Sequence, residues 1–235
     1  MILVVLAAGS GKRISGRPKG MIPAPDGRPL MWHAARNAAP FVDRVLVISG
    51  KYVYDNVYAG IDLPYESHRN YFWADAGNAG SLWFALKLVT EGTPFIVCNG
   101  DVVTSREAIS RLVERAKETG MGVGILPTES LTRSREDYSG IACVYSPEAQ
   151  QQIRSRVDRL LRSTRDDKQA RMDIGHWDAF FLAIRPEWPP QGFQPEHAVT
   201  IEPHERVEID TLDDLFHFYE GRGRGLWEPM FSLKE

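Results

Sequence analysis

Residues 2–13 read ILVVLAAGSGKR, an unbroken apolar run that gives way to small residues and then to two cations. Ile2 to Leu6 show no polar alternation, the pattern of a strand covered on both faces, as in the interior of a parallel sheet. The run is short and lacks a basic leading segment, so it reads as a buried strand rather than a secretory signal. Behind it, small residues let backbone amides approach a ligand, and successive N–H groups can form a nest for an anion. Two familiar phosphate loops fail here on spacing. A Walker A loop needs glycine five residues before Gly11 and a hydroxyl residue after Lys12, where the chain has Leu6 and Arg13. The dinucleotide fingerprint needs glycine where the chain has Ile14.

Outward from this strand, apolar β-type runs alternate with helical patterns. Strands are expected over Ile2–Leu6, Arg44–Ile48, Pro94–Cys98, Gly122–Leu126, Gly140–Tyr145 and Asp178–Ile184. Helices are expected over Pro29–Ala39, Ser81–Thr90, Arg106–Glu118 and Pro147–Arg162. That order predicts an α/β fold, a three-layer α/β/α sandwich around a mostly parallel, Rossmann-like sheet. Ligands of such sheets collect at the C-terminal ends of the strands. A single domain is expected over residues 1–220, with a tail over 221–235. The charged stretch Arg162–Met172 reads as a solvated helix end or loop, and Pro186–Pro195 as a long ordered loop. The tail, GRGRGLWEPMFSLKE, fits docking on its own monomer and fits a homodimer contact equally well.

Composition sets limits on partners. The 235 residues carry a net charge of −3, so no global field recruits nucleic acid or an anionic membrane. No apolar run approaches a membrane span, and the chain reads as cytoplasmic. Cys98 and Cys143 sit in apolar runs and are expected to be buried free thiols, while the six scattered histidines offer no metal-ligand spacing.

The stretch LAAGSGKRISGRPKGMIP, residues 6–23, resembles the signature of the sugar-phosphate and cytidylyl nucleotidyltransferase superfamily. Its strand, paired glycines, Arg13 and Pro18-Lys19 stand in the order that signature requires. The resemblance implies the nucleotide-diphospho-sugar transferase fold. It implies that Leu6, Ala7, Ala8, Gly9, Ser10, Gly11 and Lys12 contact the nucleotide. It further implies that Arg13 and Lys19 neutralise charge developing on the α-phosphate and the departing pyrophosphate.

Three more segments extend the resemblance to about Phe218. Gly77-Asn78-Ala79-Gly80-Ser81-Leu82 opens a helix, where Ser81 is a good capping residue; by resemblance Gly80 and Ser81 contact base or ribose. Phe95 to Cys98 end in Asn99-Gly100-Asp101, placing a carboxylate at the ligand edge, and the resemblance assigns Asp101 to Mg²⁺. In Arg206-Val207-Glu208-Ile209-Asp210, alternation puts Glu208 and Asp210 on one side of a short strand. Thr211 then reads as a helix cap. The resemblance makes Asp210 the second Mg²⁺ ligand, with Glu208 as a direct or outlying partner.

The chemistry implied is transfer of a nucleoside monophosphate from an NTP to a phosphorylated small molecule, with CTP favoured over the other bases. The AAG form and the EIDT element look closer to phosphocholine and aminoalkylphosphonate cytidylyltransferases. GNAGSL and NGDVV look closer to sugar-1-phosphate nucleotidyltransferases. Molybdenum-cofactor transferases fit less well, because their loops carry Arg-Met-Gly where this chain has Arg13-Ile14-Ser15. Tyr138, His176, Trp177 and Asp178 are candidates for the acceptor pocket, as an aromatic cage with a carboxylate or as ordinary packing. A nucleotide-binding regulatory protein of the same fold, without turnover, remains the alternative. It would be expected to have lost at least one of Arg13, Lys19, Asp101 and Asp210.

Overall fold

The computed structural model describes residues 1–9, 11–14, 16, 18–52, 54, 57–127, 138–181 and 195–220. In chain order the strands and helices are β1 Ile2–Ala7, α1 Leu30–Ala38, β2 Arg44–Ser49, β3 Tyr65–Arg69, α2 Trp73–Leu88, β4 Phe95–Asn99 and β5 Val102–Thr104. There follow α3 Arg106–Thr119, β6 Met121–Ile125, β7 Tyr138–Val144, α4 Pro147–Ser163, α5 Lys168–Asp173 and α6 His176–Phe181. The last are β8 Ala198–Thr200, β9 Arg206–Glu208 and α7 Leu212–Glu220.

The main sheet has the order β3-β2-β1-β4-β7-β6-β8. Strand β1 pairs in parallel with β2 and β4, β2 with β3, and β6 with β8. Only β7 runs against its neighbours β4 and β6. The unbroken apolar run of β1 shows why the sheet is covered twice. Ile2, Val4 and Leu6 pack with Leu82 and Leu86 of α2 and Ile153 and Val157 of α4. Leu3, Val5 and Ala7 pack with Met31 of α1 and Ile109 and Leu112 of α3 on the opposite face. The three-layer α/β/α architecture follows.

Helix ends obey local chemistry. The Ser105 side chain accepts from Ala108 N at the start of α3, and Ser146 from Ala149 N at the start of α4, before Pro147 at the first helical position. The amphipathic faces expected for α1, α3 and α4 are the buried ones.

One expectation is corrected. Asp178–Ile184 is not a strand over its described part. Residues 176–181 are helical, because the Asp178 carboxylate accepts from Gly175 N and Phe180 packs into the core cluster that holds Ile153 and Val157. The sheet edge is instead β8. Arg162–Met172 is exposed at most of its positions and holds the end of α4, as expected of a solvated helix end or loop, while Thr164 is buried and Asp167 caps α5 by accepting from Ala170 N. The Arg171 guanidinium then donates to the carbonyls of Asp75 and Thr164. Residues 182–194 and the tail from 221 lie outside the described residues. Among the described residues, no helix is long and apolar enough to cross a membrane.

Cys98 and Cys143 are free and buried on the paired strands β4 and β7, and burial pushes both thiols up to about 12.

Candidate active site

The site lies where β1 and β4 end. The amide of Gly100 donates to the Leu6 carbonyl, so the turn after β4 crosses the end of β1 and presents Asp101 there. The Tyr54 hydroxyl takes the next free carbonyl, that of Ala7. Beyond Ala8 the chain turns tightly: the Gly11 carbonyl accepts from the amides of Ile14 and Gly16, and Ile14 is buried while Lys12 and Arg13 stay exposed. Ser10 lies outside the described residues.

A second turn, Lys19–Met21, follows Pro18 and brings Lys19 to the carboxylates. Glycine at 20 is required by the close approach. A Cβ there would lie 2.3 Å from Met31 Cγ and 2.6 Å from the Gly100 carbonyl oxygen. Lys19 Nζ donates to Asp101 Oδ2 at 3.1 Å and also pairs with Asp210, which Arg13 engages through Nη1. The Pro-Lys turn and the glycine-rich turn therefore converge on one acidic group.

The acidic group itself is assembled by a small second sheet. Strand β9 pairs antiparallel with β5, Val102 opposite Glu208 and Thr104 opposite Arg206. Because β5 begins directly after Asp101, this register delivers Glu208 and Asp210 beside it. Carboxylate oxygens of Asp101, Glu208 and Asp210 lie within 4.8 Å of one another. Val207 and Ile209 point the other way into a core with Ile14, Ile22, Val103 and Phe218. The Thr211 hydroxyl accepts from Asp214 N, the capping expected of it, and the Asp214 carboxylate in return accepts from the amides of Asp210 and Thr211.

Three hard oxygen donors at this spacing fit Mg²⁺, whose oxygen ligands sit at about 2.0–2.1 Å and span about 4.2 Å across the ion. Burial raises the Glu208 carboxyl above its ordinary value, an effect opposed by its ion pair with Arg206 and reinforced by Asp101 and Asp210. Arg206 also donates Nε to the Ser139 carbonyl, tying β9 to β7. Sequence reasoning missed Arg206, although the same alternation that aligned Glu208 with Asp210 places Arg206 in line with them.

Helix α2 does not begin with Ser81 as its cap. Helical residues start at Trp73 and are broken at Gly77, with φ 51° and ψ −156°. The left-handed φ there favours glycine, and a Cβ would also strike the Met172 carbonyl at 2.7 Å. The helix resumes through Gly80, with Ser81 a full turn further in. Ser81 is buried, and its hydroxyl accepts from Asn70 Nδ2 at 3.3 Å. Asn70, buried at the end of β3, is a second residue with no sequence signal, because the polar run YESHRN reads as loop.

The four acceptor candidates are not brought to the carboxylates. Tyr138, His176 and Asp178 are buried, and Trp177 is half-buried against the same core. The Tyr138 hydroxyl and His176 Nε2 lie 3.1 Å apart, and the Tyr138 ring stacks on Phe180. Burial pushes the His176 imidazole down to about 3. The packing alternative describes these side chains: Tyr138 and His176 meet beneath the surface, and Asp178 caps its own helix.

Comparison with known proteins adds to this geometry. A family model described as a MobA-like NTP transferase domain matches residues 3–172. Among solved structures the chain is similar to CTP:phosphocholine cytidylyltransferase from Streptococcus pneumoniae, with 16% identity, 93% of this chain and 98% of that one covered, and a TM-score of 0.64. It is similar to the inositol-1-phosphate CTP transferase from T. maritima, with 16% identity, 97% and 95% coverage, and a TM-score of 0.68. A UDP-glucose pyrophosphorylase complexed with UDP-glucose gives 13% identity, 95% and 98% coverage, and a TM-score of 0.67. No curated protein sequence matches the chain. At such identities the structures share the fold, and the family match spans well over half the chain. The chain belongs to the MobA-like NTP transferase domain family, a family of nucleotidyltransferases.

Proposed function

We propose that the chain transfers a nucleoside monophosphate, with CTP the favoured donor, to a phosphorylated small molecule and releases pyrophosphate. The observation that carries this reading is the bridge from Lys19 to Asp101 and Asp210, with Arg13 on the same Asp210. Cations and carboxylates from four separate segments meet where the glycine-rich turn leaves β1.

Mg²⁺ bound by Asp101, Asp210 and Glu208 would supply charge neutralisation at the phosphates. The chain's own groups do the rest. The exposed residues Gly9, Lys12 and Arg13 offer backbone amides to the triphosphate, and the side chains of Lys12, Arg13 and Lys19 offset the charge that builds on the leaving group. An oxygen of the acceptor phosphate attacks the α-phosphorus, a new P–O–P linkage forms, and the α–β bridging bond breaks to release pyrophosphate. A phosphomonoester has a second pKa of about 6, so the attacking oxygen is anionic at neutral pH and no general base is needed. The site accordingly needs positioned charge rather than a proton acceptor.

The test is pyrophosphate release with Mg²⁺, crossing the four NTPs against phosphocholine, aminoethylphosphonate and sugar 1-phosphates. Release with one NTP, abolished by Asp101→Ala, is expected. Nucleotide binding without release across the panel would favour a regulatory protein of this fold. No nucleotide binding at all would sink the reading.

A further inference from the structure

The glycine-rich turn is gripped from outside by the segment that leaves β2. Strand β2 runs beside β1 as far as the pair of Ala7 and Ser49. The next residue, Gly50, lies so close that a Cβ there would come within 2.5 Å of the Ala8 carbonyl oxygen. Beyond it, two tyrosines reach back to the turn. The Tyr54 hydroxyl donates to the Ala7 carbonyl at 3.0 Å, and the Tyr52 hydroxyl donates to the Gly16 carbonyl. Those carbonyls stand at the two ends of residues 7–16, between which Gly9, Lys12 and Arg13 are exposed. Packing fixes both rings. Tyr54 is buried in the core cluster of Val5, Val47 and Cys98, and Tyr52 is half-buried against the same cluster.

Electrostatics gives these bonds a purpose. Such a turn holds an anion through its N–H groups, and a carbonyl oxygen turned toward the ligand would repel it. Four carbonyls around the turn are engaged within the protein. Leu6 accepts from Gly100 N, Gly11 from the amides of Ile14 and Gly16, and Ala7 and Gly16 from the tyrosines. Burial and the nearby Asp101 carboxylate raise the Tyr54 hydroxyl above its ordinary value, so it keeps the proton it donates. Tyr58 offers a comparison within the same cluster. Its buried hydroxyl has no hydrogen-bond partner among the described residues.

Resting on the nucleotidyltransferase reading, we propose that Tyr52 and Tyr54 are positioning residues for the triphosphate. They hold the carbonyls at both ends of the glycine-rich turn away from the phosphates and keep its amides preorganised, without touching the ligand themselves. Preorganisation of this kind lowers the ordering cost of binding and acts on the phosphates alone, whatever the base.

Calorimetry with Mg²⁺ and tripolyphosphate, beside the four NTPs, tests this. Tyr52→Phe and Tyr54→Phe keep the rings and remove only the donors. Each is expected to weaken tripolyphosphate binding about fivefold, and the double variant about 20-fold or more, with the same factors for every NTP that binds. In turnover the KM for NTP should rise while that for the acceptor stays. Tyr58→Phe should change neither. Amide exchange over residues 9–16 should quicken in the double variant while that of residues 2–6 matches the parent, which reads the turn directly. The proposal is overturned if the double variant binds tripolyphosphate as the parent does, or if exchange over residues 9–16 is unchanged. It is equally overturned if the loss depends on the base, or if Tyr58→Phe produces the same loss. A parent protein that binds neither NTP nor tripolyphosphate would overturn the nucleotidyltransferase reading instead.

Discussion

Replacing Lys19 with methionine should change metal binding and turnover in opposite directions. Lys19 Nζ bridges Asp101 and Asp210, two of the three carboxylates that suit Mg²⁺, so a metal entering between them must first displace the ammonium group. The Lys19 and Asp101 side chains are 15% and 14% exposed, and their charged atoms are 3.1 Å apart. At an effective dielectric of about 20 that separation gives an attraction of about 5 kcal/mol, most of it offset by desolvation. A charge-assisted hydrogen bond of this kind contributes about 1.5–3 kcal/mol net. Lys19→Met removes that competitor, keeps the length of the side chain and leaves the carboxylates facing one another. Mn²⁺ affinity without nucleotide should therefore tighten by about 10- to 100-fold, read by titration calorimetry or by the free-Mn²⁺ paramagnetic signal. Turnover should fall by about 10²–10³-fold, because a donor to the developing charge is lost. Unchanged or weaker Mn²⁺ binding, in a variant whose circular dichroism matches the parent, would refute the reasoning.

Gly20→Ala should lower stability by about 1–3 kcal/mol, read as a drop in Tm, because its Cβ would overlap the Gly100 carbonyl, which is backbone. Activity should fall with it, as the same turn carries Lys19. His176 is buried neutral, its pKa lowered from 6.5 to about 3 by burial. Its contribution to stability is present above pH 6.5 and is lost as pH falls toward 3, with a slope of at most about 1.4 kcal/mol per pH unit. Denaturant titrations at pH 7, 6, 5 and 4 should show a shallower decline in His176→Phe than in the parent; parallel declines would contradict this. The two buried thiols, raised to about 12, should react with a thiol reagent only as fast as the protein opens. Rapid labelling of the native protein would show that β4 and β7 are less well covered than the packing indicates.

Much of the site was legible because its residues fall at fixed distances along the chain. The LAAGSGKR turn must follow a buried strand, and an aspartate after Phe95–Cys98 must emerge at the same edge if the strands are parallel. Arg13, Lys19, Asp101 and Asp210 were singled out by the resemblance to the nucleotidyltransferase signature, and the structure brings their side chains into contact. The acceptor side was not legible. Tyr138, His176 and Asp178 are as polar or aromatic as ligand-binding residues, and only their burial reveals a hydrogen-bonded core group.

By itself the sequence determined the layers and the chemistry of the turn. A run such as Ile2–Leu6 can be satisfied only between two helical layers, and the amphipathic faces of α1, α3 and α4 supply those layers. Small residues and cations behind that run suit an anion, and suit an ordinary turn equally well until the resemblance is added. Tertiary structure alone decided which carboxylates meet. The three-residue strand β5 is too short to announce itself, and its register with β9, Val102 opposite Glu208, is set by contacts between segments about a hundred residues apart. The same holds for α6, whose few apolar residues fit strand or helix equally well until a cap from Asp178 and packing in the α4 core choose the helix. Local periodicity fixes which face of an element is buried; which elements face one another depends on the whole chain closing around its core.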